Sequence, residues 1–380
     1  MRVVTPEKLK TILSELKARK ADAVILSDFE TGRNKNVRYL CGQPSDANLL
    51  LFADGTMSLI VWDMIAAQRM AQVDELVDVG QFDRSYRAAV VSVLKKKLGE
   101  SFSLEVLPEE RHLFVLQLQE AFPKAKIICT PDGAADSFIR ARMIKTPTEV
   151  AILREGSKVT DDIINLIKPF VESHKGLREV DLTLYLEAEM RKRGAEGVSF
   201  ETLTANCRRS GMIHQVPSSS DEQLDLPGLA LIDMGLMWKG YATDVTVPLI
   251  FGKLKPDQQK ILDATQKAYD LAISMIKPGV PAHTIAEAAI GHIKSQGLNM
   301  PYSLGHGIGL EVHDPPRLAV KPTDPEMLKF WKPLPLEPGM VFTVEPGVVD
   351  DRGGCRIEND VLVTATGVEV LTHAKAIFFK

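Results

Sequence analysis

The chain lacks most of the features that would tie it to a membrane, a nucleic acid or a disulfide framework. Its four cysteines, Cys41, Cys129, Cys207 and Cys355, are scattered, with no CxxC pair and no zinc-ligand spacing. They read as reduced, buried or half-buried thiols in a cytoplasmic protein. No apolar run approaches the length of a bilayer crossing. The stretch MRVVTPEKLKTILSELKARK is a charged amphipathic helix without the apolar centre of a signal peptide. A net charge of −4 and the want of any basic cluster remove the electrostatic case for nucleic acid. There is no GxxxxGK[ST] phosphate loop, no HExxH helix and no GxSxG nucleophile elbow. The GxGxG of Gly305–Gly309 lacks the strand–turn–helix setting and final glycine of a dinucleotide fingerprint. Low-complexity tracts and short tandem repeats are absent as well.

What remains is globular material for two domains: 380 residues, 45% hydrophobic and 25% charged. The first part alternates as an α/β domain. A helix over 5–20 leads to the strand ADAVILSD, and NVRYLCG, ANLLLFADG and MSLIVWD read as further strands. The last two are joined across Asp54-Gly55, a hairpin signal. Helices are expected over 64–75, 85–98 and near 111–121, with KIICTP as a strand. Near residue 140 the texture changes, which sets the domains at 1–140 and 141–380. Thr146 fits a helix N-cap, Pro147 a first helical position and Glu149 the first turn. That helix runs to about Val171, with others over Glu179–Lys192, 257–276 and 282–296. The apolar stripe Ile261, Ala264, Ala268, Leu271 and Ile273 reads as a core face.

Four acids interrupt apolar, strand-like runs from Phe200 onward: Asp233 in LALIDMG, Asp244 in GYATDVTVPLIF, Glu345 in MVFTVEPG and Glu358 in CRIENDVLV. A carboxylate turned into a sheet interior costs several kcal/mol unless a positive charge meets it. No Lys or Arg pattern meets all four, whereas two divalent cations would. With His306 in SLGHGIGLEVHD the set is oxygen-rich with one imidazole, which suits a hard or borderline metal. Asp233 and Asp244 share a hairpin-like unit turned by Gly235 and Gly240, so adjacent antiparallel strands can place them side by side. Glu345 and Glu358 flank the turn DDRGG and can face each other likewise. Gly305, Gly307 and Gly309 permit close backbone approach. Taken singly, each acid reads first as a cap or a solvated strand end, and only the set points to a site.

Together, IDMGLMWKGYATDVT, GHGIGLEVHD, TVEPG and RIENDVLVT resemble the signature of the M24 metallopeptidase family. Upstream, RARMIKTPTEVAILREGSKVTDD and GVSFETLTANCRRSGMIHQVP are similar to its linker, first catalytic helix and substrate-side segment. The stretch NVRYLCG…ANLLLFADGTMSLIVWD resembles the creatinase/prolidase N-terminal domain. The resemblance implies a two-domain α/β protein, a small creatinase-like N-terminal domain followed by a pita-bread α+β catalytic domain. It implies two divalent ions, manganese first, with cobalt, zinc or iron as alternatives. Asp233 would chelate one ion, His306 and Glu345 the other, and Asp244 and Glu358 both. A hydroxide bridging the ions would attack, and Glu345 would carry its proton toward the leaving nitrogen. His214 matches an outer substrate histidine, His313 one that steadies the tetrahedral intermediate, and Arg356 an arginine that orients carboxylates. The implied activity is hydrolysis of the amide before proline in Xaa-Pro dipeptides or peptides, by a cytoplasmic homodimer.

Two rival functions remain, a hydrolase or lyase of a non-peptide small molecule and a non-catalytic peptide-binding module. Three departures from the family pattern bear on them. Val247 stands where the family often has arginine, Asp314 where glutamate is frequent, and Asn359 where aspartate is frequent.

Overall fold

The structure, a computed structural model, describes residues 3–130 and 133–380, and the chain divides into two compact units, Met1–Arg142 and Met143–Lys380. In the first unit α1 (Pro6–Ala18) starts at Thr5, whose hydroxyl accepts the Lys8 N–H, with Pro6 at the first helical position. There follow β1 (Ala23–Asp28), α2 (Lys35–Cys41), β2 (Ala47–Phe52), β3 (Met57–Val61), α3 (Met64–Met70) and β4 (Glu75–Asp78). Then come α4 (Tyr86–Leu98), β5 (Ser103–Glu105), α5 (His112–Ala121), β6 (Lys126–Ile128) and α6 (Ala134–Met143). The strands form one mixed sheet in the order β4-β3-β2-β1-β5-β6. Only β1–β2 and β2–β3 are antiparallel, the latter turning at Asp54-Gly55, where Gly55 adopts φ 95°. Ile25, Leu50, Ile60 and Leu104 pack against Ala89, Val93, Leu94 and Leu118 of α4 and α5.

Several local expectations give way here. NVRYLCG is helix α2 rather than a strand. Asn34 caps it by accepting the Asn36 N–H, Gly42 at φ 86° ends it, and Val37, Leu40 and Cys41 bury one helical face. The helix expected over 64–75 ends at Met70, because Glu75–Asp78 pairs in parallel with Ser58–Val61 instead. Cys129 is exposed, not buried or half-buried like the other three thiols. Pro131, the last residue of the expected strand KIICTP, lies outside the described residues.

The second unit opens with α7 (Pro147–Ser173), whose capping box is complete. The Glu149 N–H donates to the Thr146 hydroxyl at 3.2 Å, and the Thr146 N–H to Glu149 Oε2 at 2.8 Å. Next come α8 (Glu179–Lys192), β7 (Gly197–Val198), β8 (Leu203–Ala205), β9 (Gly228–Met234), β10 (Leu236–Trp238), β11 (Tyr241–Ala242) and β12 (Val245–Phe251). Helices α9 (Pro256–Met275) and α10 (Ala282–Ser295) precede β13 (Gly305–Gly307), β14 (Asp314–Leu318), α11 (Pro325–Leu328) and β15 (Val341–Val344). The chain closes with β16 (Gly347–Val348), β17 (Cys355–Arg356), β18 (Asn359–Val363), β19 (Val368–Val370) and β20 (Ile377–Phe379).

Two sheets carry this unit, β20-β12-β9-β8 and β14-β13-β15-β18-β19. Helices α7 and α8 pack on the first, and α9 and α10 share a core with the second. In the stripe on α9, Ile261, Ala264 and Ala268 are buried as expected, while Leu271 and Ile273 are half-buried and Ala272 takes the inner position. Strands β9 and β12 are buried on both faces, and their alternation sorts the side chains. Ala230, Ile232, Met234, Val245, Val247 and Leu249 join the α7–α8 core. Asp233 and Thr246, partners in the β9–β12 register, fall on the opposite face.

Candidate metal centre

Strand period places the acids. Asp233 lies opposite Thr246, and Asp244 precedes Thr246 by two residues, so both carboxylates share the inner face of the β9–β12 pair. The hairpin between them turns at Lys239-Gly240, with φ 50° and 87°. On the second sheet Val344 pairs with Asn359, and in the separate β16–β17 ladder Gly347 pairs with Arg356, which sets Glu345 across from Glu358. His306 enters from β13, squeezed between β14 and β15. A Cβ on Gly305 would lie 2.0 Å from the Thr343 carbonyl oxygen, and one on Gly307 would lie 2.1 Å from Pro315. The expected close approach is therefore by neighbouring strands.

These elements converge. His306 Nε2 lies 3.6 Å from Asp244 Oδ2 and 3.6 Å from Glu345 Oε1. Its Nδ1 is 3.1 Å from the Gly307 carbonyl, which can only accept. That partner assigns the proton to Nδ1 and turns the Nε2 lone pair toward the two carboxylates. Burial first, and His313 second, push the His306 pKa down to about 4, so the ring is neutral. Asp244, His306 and Glu358 each offer a ligand atom within 4.8 Å of one another.

The electrostatics are those of acids crowded away from water. Burial, then Glu358 and Asp233, raises Asp244 well above the usual carboxylate range. Burial and Glu358 do the same to Glu345, and burial and Asp233 lift Glu358 to about 7. Arg356 brings a positive charge into the cluster. Arg356 donates from Nη2 to Asp233 Oδ2, from Nε to the Thr246 hydroxyl at 2.8 Å and from Nη1 to the Ile213 carbonyl at 3.4 Å. Thr246 in turn donates to Glu358 Oε2 at 2.7 Å. Of the four acids, Asp233 thus has a guanidinium partner in Arg356.

A cavity of about 970 Å³ opens over this cluster. All eight residues singled out in the sequence line it: Asp233, Asp244, His306, Glu345, Glu358, His214, His313 and Arg356. His313 packs edge-on to His306, ring centroids 4.2 Å apart, and is pushed below the usual histidine range by burial and by His214.

Comparison with known proteins fixes the family. The model of metallopeptidase family M24 matches residues 151–365, more than half of the chain. The chain belongs to metallopeptidase family M24. Residues 8–144 match the creatinase/prolidase N-terminal domain, completing the expected architecture. The chain is 29% identical over 376 residues to the Xaa-Pro dipeptidase of Pyrococcus horikoshii, with 97% of each protein covered. The prolidase structure from P. horikoshii OT3 superposes with a TM-score of 0.83 at 26% identity, covering 97% of this chain and 99% of that one. The Xaa-Pro dipeptidase from Bacillus anthracis gives 0.84 at 27%, covering 98% and 99%.

Membership in the M24 family implies divalent metal ions, and the residues present fit them. Oδ1 of Asp233 and Oδ1 of Asp244 are buried without a hydrogen-bond partner. The His306 lone pair facing two carboxylates is repulsive unless a cation or proton stands between them. An oxygen-rich pocket of raised pKa values with one neutral imidazole accepts hard or borderline divalent ions.

Sequence reading missed residues that support this set. Thr246 links Arg356 to Glu358, and Thr343 accepts the His306 N–H at 3.2 Å. Asp360, fully buried, accepts the Asp244 N–H at 3.2 Å. Each lies two residues from a named acid, a signal that period-two counting would have caught. The three departures also find places. Val247 packs into the α7–α8 core, away from the cavity. Asp314 lines the cavity, close enough to Gly309 that a Cβ there would lie 2.5 Å from its carboxylate. Asn359 uses its amide both ways, donating to Tyr269 Oη and the Ala374 carbonyl at 3.0 Å each and accepting the Ala374 N–H at 2.6 Å. An aspartate there could not donate.

Proposed function

We propose that this chain hydrolyses the amide bond before proline, in Xaa-Pro dipeptides or at the N-terminus of Xaa-Pro peptides, with two divalent ions held by five side chains. Asp233 would hold one ion, His306 and Glu345 the other, and Asp244 and Glu358 both. The observation that carries this reading is the convergence of His306 Nε2 on Asp244 and Glu345 at 3.6 Å, inside the cavity lined by all five. The Xaa-Pro dipeptidases and prolidases among its relatives support the substrate class. The oxygen-rich donor set favours manganese over cobalt, zinc or iron.

Bound ions supply Lewis acidity and a water acidic enough to lose a proton near neutral pH. The chain's own residues do the rest. Glu345 takes that proton and delivers it to the proline nitrogen. A tertiary amide nitrogen needs such protonation to leave, and its missing N–H and constrained geometry defeat general peptidases. His313, neutral beside His306, donates to the carbonyl oxygen as it gains charge. His214 contacts the substrate from the outer wall of the cavity. Arg356 fixes Asp233 directly and Glu358 through Thr246.

Val247 adds nothing to the cavity wall, so its departure gives no support to a non-peptide substrate. The free thiols accord with a reducing, cytoplasmic setting. The test is hydrolysis of an Xaa-Pro dipeptide and an Xaa-Pro-Yaa tripeptide, side by side, by metal-free and manganese-loaded protein. Metal-dependent cleavage is expected, and the preferred length decides between dipeptidase and aminopeptidase action. Absence of cleavage on both with metal bound overturns the reading.

A further inference from the structure

One buried carboxylate outside the acid cluster holds both ends of the loop that carries His214. Glu179, the first residue of α8, has no exposed surface. Its Oε1 accepts the Asn206 N–H at 2.7 Å. Its Oε2 accepts the Ser220 N–H at 2.9 Å and the Ser220 hydroxyl at 2.6 Å. The buried Arg209 guanidinium donates from Nη1 to Glu179 Oε2 and from Nη2 to the Pro217 carbonyl. A single side chain thus fastens residues 206 and 220, and Arg209 braces the returning limb.

Within the arch, Gln215 Nε2 donates to the Arg209 carbonyl at 2.9 Å and the Met212 carbonyl at 3.0 Å. The far side of the arch is open. Val216 is 91% exposed and Met212 46%, while Ile213, His214, Gln215 and Val216 line the cavity. Ser210, which donates to the Leu229 carbonyl at 2.7 Å, and Arg356, on the Ile213 carbonyl, hold the middle of the arch, and Glu179 fixes the two ends between which His214 stands. A buried carboxylate that takes charge-assisted hydrogen bonds is a strong anchor, and removing a partner leaves a buried charge unpaired. Neither Glu179 nor Arg209 lines the cavity.

We propose that Glu179, together with Arg209, is a positioning residue that sets the arch 206–220 so that His214 meets the substrate. The proposal rests on the Xaa-Pro reading only for what His214 touches. Glu179→Gln keeps the shape but replaces one acceptor oxygen with a donor. Arg209→Lys keeps the charge but cannot fork to Glu179 and Pro217 together.

The metal-loaded full chain would be followed by hydrogen exchange over 206–220, by calorimetric metal affinity, and by KM and kcat on an Xaa-Pro dipeptide, with and without His214→Ala. For Glu179→Gln, exchange at the Asn206 and Ser220 amides is expected to rise about tenfold or more. KM should rise about tenfold, with kcat and metal affinity held within about twofold and no further rise in the His214→Ala background. Arg209→Lys should show the same pattern more weakly, and it carries the test if Glu179→Gln does not fold. Unchanged exchange in both variants overturns the proposal. So does faster exchange with unchanged KM, a metal-affinity loss as large as the KM change, or an undiminished effect on top of His214→Ala. If the unsubstituted protein cleaves no Xaa-Pro substrate, the functional reading fails, and exchange at the two amides decides the clamp by itself.

Discussion

The Thr246 hydroxyl spends its one proton on Glu358 and its lone pair on Arg356, so two site residues lose their orientation together if it goes. Thr246→Val keeps the branched shape in a fully buried strand position and removes both bonds. It should weaken metal affinity or kcat/KM by about 10- to 100-fold, read by calorimetry and steady-state kinetics. Thr246→Ser should recover most of the loss, and a Val variant indistinguishable from the parent would exclude the role. His306→Ala removes the imidazole between Asp244 and Glu345, and calorimetry should then find at least one ion fewer per chain. The acids were legible because each breaks an apolar string, where a charge demands a partner, and His306 because its string GHGIGLEVHD carries the family resemblance. Thr246 and Thr343 were not, since a threonine in a strand satisfies β-propensity and raises no such demand. Asp360 escaped because Glu358 and Asn359 beside it had already absorbed the polar character of the string.

Strand β13 shows what an element must give up to deliver one ligand. Its glycines leave room for the Thr343 carbonyl on one side and Pro315 on another. Gly305→Ala would force β13 away from β15, costing about 3 kcal/mol of stability and lowering metal affinity with it. Denaturant unfolding and calorimetry on the same sample check both, and a neutral Ala variant would contradict the packing. At the start of α7, Thr146→Ala breaks the capping box and should cost about 1 kcal/mol, with metal affinity unchanged. Helices α7 to α10 were legible because their apolar stripes run over many residues, with the Thr146 cap and Pro147 marking the start of α7. The short α2 was not: Val37, Leu40 and Cys41 have helical spacing, but seven residues also suit a strand. Strand β4 was hidden because it forms at the sheet edge through pairing with β3, a non-local partner that local propensity does not report.

For the whole molecule, the metal-free fold carries a cluster of buried acids that Arg356 only partly offsets. Glu358 sits at about 7 against an ordinary value of 4.5, and Asp244 and Glu345 move in the same direction. A carboxyl whose folded pKa is raised contributes stability that is full below its unfolded value and is lost as pH rises through the folded one. Metal-free protein should therefore melt higher at about pH 5 than at about pH 8, and a melting temperature that climbs over that window would contradict the burial of these acids. Metal reverses the trend, because free ion at a hundred times its Kd adds about 2.7 kcal/mol and binds the deprotonated set. The most direct measurement is a manganese titration of metal-free protein that records bound metal and Xaa-Pro dipeptide hydrolysis in the same samples. Two ions per chain, with hydrolysis rising as they fill, is the predicted result. No stoichiometric binding, or hydrolysis indifferent to the metal, would contradict the assignment of Asp233, Asp244, His306, Glu345 and Glu358 as the working centre.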